Sequence, residues 1–190
     1  MVDYSEDVKA GTSALMAGGV ILYPTDTIWG LGCDATDEAA VDRIFALKKR
    51  PKEKSMIILL PDARNVLQYV AAPPPDIIDI IESFTTPTTI IFSGALHIAA
   101  NAIAEDGSIA LRIPQDPFCK ALLKRFGRPL VSTSANLSGM PAPAHFGEIG
   151  PTIKEGVDYI VRYRQDDRAP RRSSRIIKLS DEGEVTVIRP

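Results

Sequence analysis

The chain has 190 residues, of which 45% are hydrophobic, 24% charged and 6% aromatic, a composition far from that of disorder. Twenty-two Lys and Arg stand against 24 Asp and Glu, a net charge of −2, which disfavours a uniformly basic nucleic-acid binder but not a local basic patch. The length predicts one domain over 1–190 that buries about 70% of its unfolded surface and needs no disulfide or structural metal to fold.

Ser5 precedes a helical stretch with Val8, Thr12, Leu15 and Met16 at helical spacing, and Glu6 and Asp7 in its first turn. Gly18-Gly19 stops it, and Val20–Pro24 reads as a buried β-branched strand followed by the polar loop Thr25-Asp26-Thr27. A second helix starts near Thr36, places Val41, Ile44, Phe45 and Lys48 on one face, and ends before Pro51. Met56–Leu60 is a continuous apolar run, hence a strand covered on both faces. Asp62 caps a short helix to about Tyr69, and Pro73-Pro74-Pro75 opens another at DIIDIIESF. TTIIF and SIALRIP are further strands, PFCKALLKRF is an amphipathic helix ended by Gly127, and LVST is a buried strand. NLSGMPAPAHFGEIGP reads as loop. YIVRY, RIIKL and VTVIR complete the strands, with Asp181-Glu182-Gly183 as the last turn. Strands interleaved with helices predict an α/β fold with a twisted, mixed sheet.

Cys33 and Cys119 show no CxxC spacing, which excludes a zinc ribbon or a disulfide scaffold. No apolar run reaches membrane-spanning length, and the acidic start MVDYSEDVKAG lacks the basic stretch of a signal peptide. A soluble cytoplasmic protein with reduced thiols is expected.

Several chemistries are excluded. There is no GxxxxGK[ST] and no GxSxG. Gly30-Leu31-Gly32-Cys33-Asp34-Ala35 fits GxGxxA, but polar residues separate it from the preceding strand, so it makes a poor dinucleotide turn. His97 and His145 lack metal-ligand spacing and read as surface or structural residues.

Polar residues remain at predicted strand and helix ends, where α/β sheets bind ligands. Thr25, Asp26 and Thr27 suit either a turn or a ligand loop. Lys48, Lys49 and Arg50 suit a helix C-terminus, but Lys52 and Lys54 extend the cluster toward a buried strand, as a polyanion cradle would. Ser108 and Arg112 bracket a strand, and Arg112 can serve as a bidentate anion ligand or as half of a surface ion pair. Ser132-Thr133-Ser134-Ala135-Asn136 supplies donors and acceptors, or a cap. Arg171, Arg172 and Arg175 flank Ser173-Ser174, with Arg189 near the end; Arg171 and Arg172 read best as a solvated basic face. Together these give anion sites and hydroxyls without a nucleophile or histidine base, which suits nucleotidyl transfer between charged small molecules.

GGVILYPTDTIWGLGCDA, IFALKKRP, LRIP, PLVSTSANLSGMPAP, SSRIIKL and IRP resemble, in order and spacing, the YrdC/Sua5 family, the threonylcarbamoyl-AMP synthases. The resemblance implies a YrdC-like domain with helices around a basic concave cavity, in the short form without a further C-terminal domain. It implies formation of L-threonylcarbamoyladenylate and pyrophosphate from L-threonine, bicarbonate and ATP, with Mg2+ on the phosphates, for the t6A modification of tRNA by a downstream transferase machinery. By similarity, Lys48, Arg50, Ser134 and Asn136 form the catalytic tetrad, and Thr27, Arg112, Ser132 and Ser174 hold threonine. Lys48, Arg50, Lys54, Ser108, Ser134, Asn136 and Arg189 surround ATP. Leu59 stands where the family often has His, Phe84–Thr89 where it often has a WPGP-like segment, and Ser174-Arg175 where it often has Ser-Thr. The rival reading is a non-catalytic YrdC-like protein that holds tRNA or double-stranded RNA on the Lys48–Lys54 cations.

Overall fold

A computed structural model of the chain describes residues 3–51, 56–180 and 183–190. The expected cations Lys52 and Lys54 and the expected turn at Asp181-Glu182 lie outside the described residues. The strands are β1 (Ile21–Tyr23), β2 (Gly30–Gly32), β3 (Ile57–Leu59), β4 (Thr88–Phe92), β5 (Ile109–Arg112), β6 (Leu130–Ser134), β7 (Tyr159–Ile160), β8 (Arg175–Leu179) and β9 (Val185–Arg189). The helices are α1 (Ser5–Met16), α2 (Glu38–Lys48), α3 (Val66–Tyr69), α4 (Ile77–Glu82), α5 (Pro117–Phe126) and α6 (Pro151–Glu155).

The strands form a nine-stranded mixed sheet in the order β7-β1-β2-β6-β3-β5-β4-β8-β9. β1 with β7, β3 with β5 and β4 with β8 are parallel; the other neighbours are antiparallel. Strand alternation sorts the side chains onto two faces. On one face Leu22, Leu31, Ile58, Ile90, Leu111, Val131 and Ile177 pack with Val41, Ile44 and Phe45 of α2 and Ile77 and Ile81 of α4. On the other, Ile21, Tyr23, Leu59 and Leu130 pack with Val8 and Leu15 of α1 and Phe118, Leu122, Leu123 and Phe126 of α5. This second cover is partial. Ile57 faces Ala110 and Ser132 across its neighbouring strands, and all three line a cleft.

The helix ends follow local chemistry. Asp37 caps α2, accepting from the amides of Ala39 and Ala40, and Lys49 closes it in a left-handed conformation (φ 49°). Asp116 caps α5 through the Cys119 amide, and Gly127 ends it at φ 72°. Ser5 is already inside α1, and Asp3 accepts from its amide at 2.9 Å. Asp7 does more than complement the helix dipole: it is buried and accepts from the Tyr159 hydroxyl at 2.6 Å and the Arg162 and Tyr163 amides at 3.1 and 2.8 Å.

Three elements depart from the sequence expectation. Gly30–Gly32 is itself a strand, paired to both β1 and β6. A β-carbon on Gly32 would stand 2.8 Å from the Tyr23 ring and 3.0 Å from the Val131 carbonyl, so bare backbone is what fits between those strands. Helix α6 begins at Pro151, the last residue of the expected loop, and runs through residues for which the sequence patterns predict no element. YIVRY contributes only the two residues of β7. Both cysteines are buried free thiols, their pKa values raised by that burial.

Candidate functional site

The uncovered part of the sheet floors a cleft of about 250 Å3. Thr27, Arg50, Arg112, Ser132, Ser134, Ser174 and Arg189 line it. Residues 27 and 189 are brought together by the sheet, because β5 and β6 carry Arg112 and Ser132–Ser134 while β8 and β9 bring Ser174 and Arg189 to the same mouth. Among the described residues, three arginines line the cleft and no carboxylate side chain does. Burial pulls the Arg50 guanidinium below its usual pKa, and burial together with nearby Arg112 does the same to Arg189.

Arg112 is 4% exposed. Its Nη1 donates to the Thr27 hydroxyl at 2.9 Å, and its Nη2 lies 3.6 Å from Asp26. Its Nε is buried with no hydrogen-bond partner among the described residues. A buried N–H without an acceptor is costly, so Arg112 stands one acceptor short in the wall of the cleft. Ser174 is held from two sides: its hydroxyl bonds that of Thr89 at 2.8 Å, and its carbonyl accepts from Arg189 Nε and Nη2 at 3.0 and 2.7 Å.

Lys48 differs from expectation. It does not face a wet cleft; it is 1% exposed. Its Nζ donates to the carbonyls of Ser134, at 2.5 Å, and Asn136, at 2.6 Å, tying the end of α2 to the end of β6. Burial, with a contribution from Arg50, lowers its pKa to about 8. Asn136 is also a brace, its amide donating to the carbonyls of Leu137 and Met140 at 3.0 and 2.7 Å. Lys48, Asn136 and Ser108 are not among the residues lining the cleft; Ser108 sits before β5, with its amide bonded to Asp106. The expected cationic cluster is therefore split, with Lys48 inside, Lys49 exposed and Arg50 in the cleft.

Arg171 is not a solvated cation but pairs with Asp167 at 2.7 Å. Leu59 is fully buried in the cluster beneath α5. Of the Phe84–Thr89 segment, Thr89 serves the cleft through Ser174, while Phe84, Thr86, Pro87 and Thr88 line a small hollow with Ile81 and Ile90. His145 contacts Arg168 and Glu148, and His97 is exposed. Sequence patterns gave no reason to single out Trp29, Ile91 or Ile176, which also line the cleft, as does Ser173 beside Ser174. Trp29 is positioned by Phe146, the ring centroids 4.9 Å apart.

The fold and the site define an α/β protein with an arginine- and hydroxyl-lined cleft on a mixed sheet. A family model described as Telomere recombination, covering Sua5, YciO and YrdC, matches residues 13–190. The threonylcarbamoyl-AMP synthases of Pseudoalteromonas translucida and Stenotrophomonas maltophilia are 36% and 37% identical to this chain, each over 157 residues covering 81% of it and 84% of the relative. The structure of P. abyssi Sua5 complexed with L-threonine superposes with a TM-score of 0.86 at 23% identity, over 100% of this chain and 55% of that one, so this chain spans just over half of that protein. The chain belongs to the Sua5/YciO/YrdC family. Among the described residues, no helix is long and apolar enough to cross a membrane.

Proposed function

We propose that this protein is an L-threonylcarbamoyladenylate synthase, a nucleotidyltransferase acting on L-threonine, bicarbonate and ATP. The observation that carries the reading is the convergence of Arg50, Arg112 and Arg189 with the hydroxyls of Thr27, Ser132, Ser134 and Ser174 on one cleft that, among the described residues, no carboxylate side chain lines. Such a lining matches a triphosphate beside an amino-acid carboxylate. The relatives named as threonylcarbamoyl-AMP synthases and the L-threonine held by a protein of the same fold support it.

In this reading Arg112 receives the threonine carboxylate, with Thr27, Ser132 and Ser174 around the rest of the amino acid. The threonine amine forms an N–C bond to the carbon of bicarbonate with loss of water, giving a carbamate. A carbamate oxygen then attacks the α-phosphorus of ATP, and the bond from that phosphorus to pyrophosphate breaks. Arg50 and Arg189 neutralise the triphosphate and the departing pyrophosphate. Lys48 and Asn136 act from beneath, fixing the end of β6 so that Ser134 presents its hydroxyl to the nucleotide. Ser108 and Lys54 are assigned to ATP on the family resemblance alone, since Ser108 is not among the residues lining the cleft and Lys54 lies outside the described residues. Mg2+ would enter with ATP and would supply further neutralisation of the phosphates; among the described residues no acidic side chain lines the cleft to hold the ion itself. The product passes to the machinery that completes t6A on tRNA, in the cytoplasm, where ATP is supplied.

Incubation with ATP, L-threonine and carbon-labelled bicarbonate tests the assignment. The expected product is a threonine-containing adenylate that carries the label. An unlabelled adenylate, or AMP without threonine, overturns it.

A further inference from the structure

Thr25 belongs to no assigned role, yet its hydroxyl is the end of a buried chain that begins at Arg112. Thr25 and Thr27 are 2% and 3% exposed. The Thr25 Oγ1 lies 2.8 Å from the carbonyl oxygen of Ile28, 2.9 Å from the Thr27 Oγ1 and 3.0 Å from the Thr27 amide nitrogen, which donates to it. A threonine hydroxyl carries one hydrogen and two lone pairs, whereas a carbonyl oxygen only accepts. The Thr25 hydrogen therefore goes to Ile28, since any other orientation would leave two oxygen lone pairs facing each other at 2.8 Å. Thr25 must then accept from Thr27, which commits the single hydrogen of Thr27 inward. Thr27 in turn accepts from Arg112 Nη1 at 2.9 Å. The direction of every bond is fixed: Arg112 donates to Thr27, Thr27 to Thr25, and Thr25 to Ile28.

We infer that Thr25 is a positioning residue that makes the Thr27 hydroxyl an acceptor toward the cleft, so that Thr27 takes a hydrogen-bond donor of the amino acid, its amine N–H or its side-chain O–H, and never its carboxylate. This rests on the threonine reading above and deepens it. It gives the amino acid an orientation, with the carboxylate toward Arg112 and a donor group on the remaining lone pair of Thr27. It also makes the site selective by mismatch, because a carboxylate turned toward Thr27 would meet a lone pair.

Amino-acid affinity in the presence of ATP, measured by calorimetry, tests this on wild type, Thr25→Val and Thr25→Ser. Thr25→Val keeps the shape and frees the Thr27 hydrogen; L-threonine affinity should fall about tenfold while ATP affinity stays within about twofold. Thr25→Ser should restore binding. Unchanged threonine affinity in Thr25→Val, or a Thr25→Ser variant as weak as Thr25→Val, contradicts the inference. On wild type, L-2-aminobutyrate, which lacks the O–H, and 3-hydroxybutyrate, which lacks the N–H, separate the two donor sources. The analogue missing the donor that Thr27 accepts should bind about tenfold more weakly than L-threonine in wild type and show no further loss in Thr25→Val. If both analogues bind wild type as tightly as L-threonine, the inference fails even where Thr25→Val does not fold. A wild-type protein that does not bind L-threonine at all overturns the functional reading itself.

Discussion

Lys48 and Arg50 are two residues apart and experience opposite environments. Arg50 lines the cleft, while Lys48 is enclosed and satisfies two backbone carbonyls. Removing Arg50 should leave the fold standing and lower kcat by roughly a hundredfold, the usual loss when one preorganised charge is taken from a developing anion. Lys48→Ala leaves the Asn136 carbonyl without a donor, while the Ser134 carbonyl keeps the Asn136 amide at 2.9 Å; at about 1–3 kcal/mol for the orphaned carbonyl, its thermal midpoint should drop by about 5 °C along with activity. Equal midpoints for the two variants would contradict this division. The Lys48 pKa, lowered from 10.5 to about 8 by burial, adds a pH signature. A base whose folded pKa lies below its unfolded one binds fewer protons when folded, so the folded state gains stability as pH rises from about 8 toward 10.5 and loses that gain as pH falls through 8. Relative to Lys48→Met, the wild type should gain up to about 3 kcal/mol across that window in denaturant titrations; parallel curves would show that Lys48 carries no such shift. The burial of Lys48 was half legible in the sequence. It falls on the apolar stripe with Val41, Ile44 and Phe45, but a lysine in the last turn of a helix is equally explained by the dipole.

At the level of elements, the strands rich in β-branched residues and the capped helices are visible in sequence because local propensity and tertiary role agree there. β2 is hidden because its reason for being a strand is absence: Gly30 and Gly32 have no side chain to show a pattern, and the constraint comes from Tyr23 and Val131 on neighbouring strands. Gly32→Ala should therefore cost about 1–3 kcal/mol, read as a midpoint lowered by several degrees; an unchanged midpoint would mean that β1 and β6 have room to part. β9 poses the opposite case. All five of its residues are exposed and it pairs with β8 at the sheet edge, yet it delivers Arg189 to the cleft and, through Arg189, holds Ser174. Its amides should exchange with solvent much faster than those of β3 and β5, and ATP with L-threonine should slow β8 and β9 selectively. Exchange at β9 indifferent to both ligands would separate this strand from the site.

Across the whole molecule, the sheet does two jobs with one face. Where α1 and α5 cover it, Leu59 and Leu130 make core; beyond their reach, the same face carries Ser132, Ala110 and Arg112 into the cleft. The residues of the cleft were legible because strand ends are where an α/β sheet leaves polar groups unpaired. Their division into those that line the opening and those that brace it was not, since Asn136 and Ser108 carry polarity as conspicuous as that of Ser132 and differ only in where the backbone aims them. The central claim is that this one cleft joins a triphosphate to an amino acid. Pyrophosphate release with ATP, L-threonine and bicarbonate omitted in turn tests it most directly. Release that needs all three, and that Arg50→Ala and Arg112→Ala each suppress, is the predicted result; release that continues without threonine or bicarbonate would contradict it.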